Sequence, residues 1–98
     1  MMPEATIYVY EAEGSVKGFI GLSGNYIAGL FVETDSQFKG IGKALLDHVK
    51  GINKELFLHV YQKNERAVRF YIREGFFIEG EQINSDTDET ELIMKWVK

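Results

Sequence analysis

The chain has 98 residues, of which 45% are hydrophobic and 27% charged, with 10 glycines, one proline and no cysteine. That length suits one domain with a single modest core and excludes two, and the missing cysteine removes disulfides, thiolate metal sites and a cysteine nucleophile. A net charge of -4 argues against a general affinity for nucleic-acid phosphates, which needs clustered Lys and Arg, and it suits a basic or neutral small substrate. No run approaches the roughly 18 consecutive apolar residues of a membrane span, and the start, MMPEATIYVY, lacks a basic n-region and a cleavage site. A cytoplasmic protein without membrane or nucleic-acid partners is the expectation.

The first predicted strand is Ala5 to Tyr10, rich in β-branched and aromatic residues and followed by the turn-forming EAEGS. Val16 to Leu22 leads through Ser23, Gly24 and Asn25 into Tyr26 to Val32, which completes a three-stranded antiparallel meander. After the polar ETDSQFKG, residues Ile41, Ala44, Leu45, Val49 and Ile52 recur at helical spacing. They predict a helix from about Gly40 to Gly51, with Gly51 as a left-handed cap. Glu55 to Tyr61, short and apolar, reads as a buried strand. Asn64 is an expected N-cap of a second helix whose apolar face is Ala67, Val68, Tyr71 and Ile72, closed by Gly75. Phe76 to Ile83 and Glu91 to Val97 are the last strands, with the acidic NSDTDET between them read as solvated surface. The order βββ-α-β-α-ββ is that of an α+β fold, a mixed and mostly antiparallel sheet flanked by helices, in one domain over residues 1–98.

The segment from Leu30, Phe31 and Val32 through a polar turn to Gln37, Phe38, Lys39, Gly40, Ile41 and Gly42 carries the chemistry most directly. Glycines at a strand-to-helix turn let backbone N–H groups approach an anion, and the helix N-terminus adds a favourable dipole. The third glycine of a dinucleotide fingerprint and the Gly-Lys-Ser/Thr of a P-loop are both missing. Gly-x-Gly at a helix start also serves as a plain tight turn. His59 lies mid-strand, whereas His48 and Asp47 read as helix surface; two histidines so placed suggest no metal-ligand cluster and no Ser-His-Asp arrangement.

The stretch LFVETDSQFKGIGKALL resembles the cofactor signature of Gcn5-related N-acetyltransferases, Gln/Arg-x-x-Gly-x-Gly/Ala after a strand ending in an aliphatic-x-Val run. LFLHVYQKNERAVRFYIREGFF resembles that family's second signature, with its strand, Asn, helix, Phe-Tyr pair and closing Gly-Phe. The resemblance implies a GNAT-like acyl-CoA fold and transfer of the acetyl group of acetyl-CoA to a primary amine by direct attack, with no metal. It implies that backbone groups of Leu30, Phe31 and Val32 bond the pantetheine arm at a splayed strand pair. Phe38 to Lys43 would wrap the pyrophosphate, with Gln37 at the mouth of the turn and Lys39 and Lys43 near the anionic end. Asn64 matches the position whose side chain bonds the pantetheine arm, and it reads equally as a helix cap. Tyr71 matches the tyrosine that protonates the departing thiolate, though an arbitrary Phe-Tyr pair reads as aromatic core. His59 stands where some relatives carry a glutamate base; a strand histidine is also commonly structural. Family members carry a further strand and two helices ahead of this hairpin, so the chain reads as N-terminally shortened. Apolar surface left open by that difference points to a homodimer. The alternative is a catalytically weak CoA-binding or protein-interaction module.

Overall fold

The computed structural model describes residues 5–33 and 40–98. Strands β1 (Ala5–Ala12), β2 (Ser15–Ser23) and β3 (Tyr26–Val32), helix α1 (Ile41–Gly51), strand β4 (Glu55–Tyr61), helix α2 (Glu65–Arg73) and strands β5 (Phe77–Ile83) and β6 (Thr90–Val97) follow in that order. This is the expected βββ-α-β-α-ββ sequence of elements, and the chain falls into two compact units, 1–54 and 55–98.

In the first unit β2 pairs antiparallel with both β1 and β3. The β1–β2 turn is two residues long, with Glu13 at φ 54° and Gly14 at φ 78°. Positive φ at both positions is what a right-twisted hairpin demands of so short a loop. Two bulges interrupt these ladders. Tyr10 faces Gly18 while Glu11 faces Val16, so Lys17 is the extra residue in β2; Gly21 faces Gly29 while Leu22 faces Ile27, so Ala28 is the extra residue in β3. Ile41, Leu45, Leu46 and Val49 form the buried stripe of α1, and they close a core with Ile20, Leu22 and Ile27. Gly51 lies inside α1 rather than in a left-handed cap: the helix ends at Ile52 with φ -113°, whose N–H donates to the Val49 carbonyl. Asn53 Nδ2 donates to the same carbonyl at 2.8 Å, which supplies the termination that a left-handed glycine would otherwise provide. His48 is exposed, as expected, and its ring stands edge-on to Tyr8 at 4.7 Å.

In the second unit β6 pairs antiparallel with β4 and β5. Leu56, Leu58, Phe76, Leu92 and Met94 are its buried residues. Glu79 is a third bulged residue, between Ile78 opposite Met94 and Gly80 opposite Ile93. The β5–β6 loop is exposed from Ser85 to Asp88, as expected, and its own hydrogen bonds shape it. Asn84 Oδ1 accepts from the Asp86 N–H at 2.8 Å, and the Asn84 N–H donates to the Glu89 carbonyl at 2.9 Å. On α2 the expected apolar face is corrected at one position: Ile72 is half exposed, and Phe70 is half-buried in its stead. No helix among the described residues is long and apolar enough to cross a membrane.

Candidate functional site

Each unit contributes its own set of candidate residues. In the first, Leu30 and Val32 are half-buried at the end of β3, and Phe31 between them is exposed and stacked on Phe19 at 5.6 Å. Gln37, Phe38 and Lys39 lie outside the described residues. Gly40 takes the left-handed conformation, φ 77° and ψ 12°, immediately before α1; its carbonyl accepts from the Ala44 N–H at 2.9 Å, so the helix hydrogen bonding starts there. Gly40 has no side chain with which to cap this end, and among the described residues no acidic residue occupies the first turn. Its leading N–H groups therefore carry the positive end of the helix dipole with no carboxylate of that turn beside it. Ile41 is buried and anchors the turn, and Gly42 is half-buried. Lys43 projects from the same turn, with Nζ 3.6 Å from Asp47 one turn on. That exposed i,i+4 pair contributes only a few tenths of a kcal/mol.

In the second unit, His59 sits half-buried in the middle of β4, opposite Ile93 of β6. Asn64 caps α2: its Oδ1 accepts from the Ala67 N–H at 3.3 Å, and its carbonyl accepts from the Val68 N–H at 3.1 Å. The cap reading is thereby established for Asn64. Tyr71 lies on the half-buried face of α2, its ring edge-on to Phe70 at 5.3 Å and to Phe76 at 5.5 Å. Its main chain is held as firmly, because the Tyr71 carbonyl accepts from the N–H groups of Phe76 at 2.9 Å and Glu74 at 3.1 Å. Gly75, at φ 94°, permits that reversal directly after the helix. Burial pushes the Tyr71 hydroxyl up to about 12, because the phenolate would lose its hydration among these rings. Among the described residues no partner bonds that hydroxyl. No group of three or more His, Asp or Glu side chains among them could hold a metal ion.

A left-handed glycine opening an uncapped helix, together with a tyrosine packed between two phenylalanines ahead of a Gly-Phe turn, repeats both halves of the acetyltransferase pattern. The family model described as an acetyltransferase (GNAT) domain matches residues 3–77. The chain belongs to the GNAT acetyltransferase family. It is 35% identical over 96 residues to the peptidyl-lysine N-acetyltransferase YiaC of Escherichia coli, covering 97% of this chain and 66% of the relative. It is also 36% identical over 80 residues to the peptidyl-lysine N-acetyltransferase YjaB of the same organism, covering 81% of this chain and 54% of the relative. The solution structure of apo YjaB matches with a TM-score of 0.83 at 31% identity, over 93% of this chain and 64% of that one. A Bacillus anthracis protein described as a streptothricin acetyltransferase, crystallised with acetyl coenzyme A, matches with a TM-score of 0.88 at 25% identity. That match covers 98% of this chain and 64% of the other. The chain thus spans about two thirds or less of the length of these relatives, and its order of six strands and two helices is that of the GNAT structures it matches.

Reading the residues alone misses two contributors. One is the aromatic pair Phe70 and Phe76 against Tyr71: the Phe-Tyr pair and the closing Gly-Phe are both visible in the sequence, but spacing alone does not bring the two phenylalanines onto the tyrosine. The steric role of Gly18, described below, leaves no mark in composition or periodicity.

Proposed function

We propose that the chain is an acetyl-CoA-dependent N-acetyltransferase that acts on a primary amine, foremost a protein lysine side chain, as one cytoplasmic domain over residues 1–98. The observation that carries this reading is the first turn of α1, where left-handed Gly40 and a first turn with no acidic residue of its own fit the pyrophosphate of a CoA thioester. The exposed Lys43 on the same turn is a suitable counterion. The names of YiaC and YjaB support lysine as the acceptor.

The amine nitrogen attacks the thioester carbon; a C–N bond forms, the C–S bond breaks, and the surplus amine proton leaves to a base. His59 is assigned that role, as a neutral imidazole able to accept the proton directly or through water. Backbone N–H groups from Leu30 to Val32 bond the pantetheine arm and polarise the thioester carbonyl, and the Asn64 amide adds a contact to the arm. Tyr71 directs its hydroxyl to the leaving sulfur. With its proton held to about 12 against about 8.5 for a free thiol, Tyr71 acts first as a hydrogen-bond donor to the developing thiolate. A homodimer joined through the apolar face of β1–β3 completes the proposal.

Calorimetric titration with acetyl-CoA beside ATP and NAD tests the cofactor half, and mass spectrometry of a lysine peptide incubated with acetyl-CoA tests transfer. Selective acetyl-CoA binding with acetylated peptide is expected. Absent or unselective binding would sink the proposal, and binding without transfer would leave an acyl-CoA-binding module.

A further inference from the structure

Gly18 is buried in β2, opposite Tyr10 of β1 and Val32 of β3. A Cβ built on it would stand 2.7 Å from the Phe31 carbonyl oxygen, 3.2 Å from Ile41 Cγ2 and 3.4 Å from Leu45 Cδ1. The first of these contacts is with backbone, which cannot rotate away as a flexible side chain does. Gly21, three residues on in the same strand, has nothing within 4 Å of the same point. Lys17, just before Gly18, is the bulged residue. Its carbonyl accepts from the Glu33 N–H at 2.8 Å, and its Nζ lies 3.7 Å from the Glu33 carboxylate. A bulge raises the local twist, and here it coincides with the close approach of β3 to Gly18.

The two elements that meet over Gly18 are the ones the acyl-CoA reading uses in this unit. Phe31 belongs to the strand end that faces the pantetheine arm, and Ile41 opens the helix that receives the pyrophosphate. We propose that Gly18 is a positioning residue for the acyl-CoA site: by lacking a side chain it sets the spacing between the end of β3 and the first turn of α1. A methyl group there must move the Phe31 carbonyl, with its pairing to Phe19, or push Ile41 and the first-turn N–H groups outward. Binding constellations tolerate only about 0.5 Å of such displacement, and an ångström costs up to about a hundredfold.

The inference rests on the acetyl-CoA reading, and the test separates the two. Acetyl-CoA affinity, and kcat at saturating acetyl-CoA, are measured for the parent chain, Gly18→Ala, Gly21→Ala and Val49→Ala. The last is a buried truncation deeper in α1 that lowers stability without crowding β3. All four are measured in enough of a stabilising osmolyte for near-UV circular dichroism to show each folded. Gly18→Ala is expected to weaken acetyl-CoA binding by about ten- to a hundredfold while kcat at saturation stays near the parent value, with both controls binding as the parent does. Parent-like affinity in folded Gly18→Ala, or equal weakening in Val49→Ala, overturns the positioning role and leaves the functional reading intact. No binding by the parent overturns the reading itself. A Gly18→Ala chain that no osmolyte folds while Val49→Ala folds would show that Gly18 serves the fold as a whole, and would overturn the inference too.

Discussion

In the proposed mechanism Tyr71 meets the departing thiolate with its proton in place; a free phenol already keeps that proton at neutral pH, and burial against Phe70 and Phe76 extends its hold to about 12. Replacing Tyr71 with Phe keeps the ring and its neighbours and removes only the donor. Acetyl-CoA affinity should remain, and turnover should fall by about a hundredfold, as read from steady-state kinetics. Turnover equal to the parent would remove Tyr71 from the chemistry. The same burial has a consequence for stability. An unfolded tyrosine ionises near 10, whereas folded Tyr71 holds its proton to about 12. The folded state therefore binds more protons between these values. Its advantage is whole below pH 10 and declines as pH rises towards 12, by about 1–2 kcal/mol after allowing for partial exposure. Urea unfolding at pH 9 and pH 11.5 should show this loss in the parent and a smaller one in Tyr71→Phe. Equal losses would mean that Tyr71 ionises freely in the fold. The position of Tyr71 was legible from its place before Gly75-Phe76, but its clamp was not, because Ile72 competes with Phe70 for the inner face when only spacing is read.

Among the elements, the strands were more legible than their faces. In YIAGLFV strict alternation puts Ile27 and Phe31 on one side, yet Ile27 is buried and Phe31 is 54% exposed. The extra residue Ala28 restarts the alternation between them, and no residue type in that run announces a bulge. Both helix starts fall where the sequence places them, but for different reasons. Asn64 carries its capping atom in its own side chain, so sequence suffices; Gly40 acts through a backbone angle that any Gly-x-Gly could adopt or decline. Asn64→Ala should cost about 1 kcal/mol, seen as a fall in Tm of about 4–8 °C. An unchanged Tm would show that the 3.3 Å bond to Ala67 contributes nothing to α2.

At the scale of the whole molecule, Val9, Phe19 and Phe31 face one another across β1, β2 and β3, and all three are exposed, as is Ile7. The proposed homodimer covers this row. Sedimentation equilibrium should give twice the chain mass for the parent and one chain mass for Val9→Lys, which places a charge at the β1 end of the row without touching the candidate site. A monomeric parent at high micromolar concentration would refute the dimer. The bulges have a further bearing on how this chain is compared with its kin. Removing Ala28 or Glu79 leaves every other pair of the interrupted ladder in place, since each of these residues faces no partner across it, whereas removing Lys17 would also lose its contacts with Glu33. Descendants of a common ancestor can therefore gain or lose one residue at those two points inside strands while keeping the sheet, and single-residue alignment gaps belong there rather than in the adjoining turns.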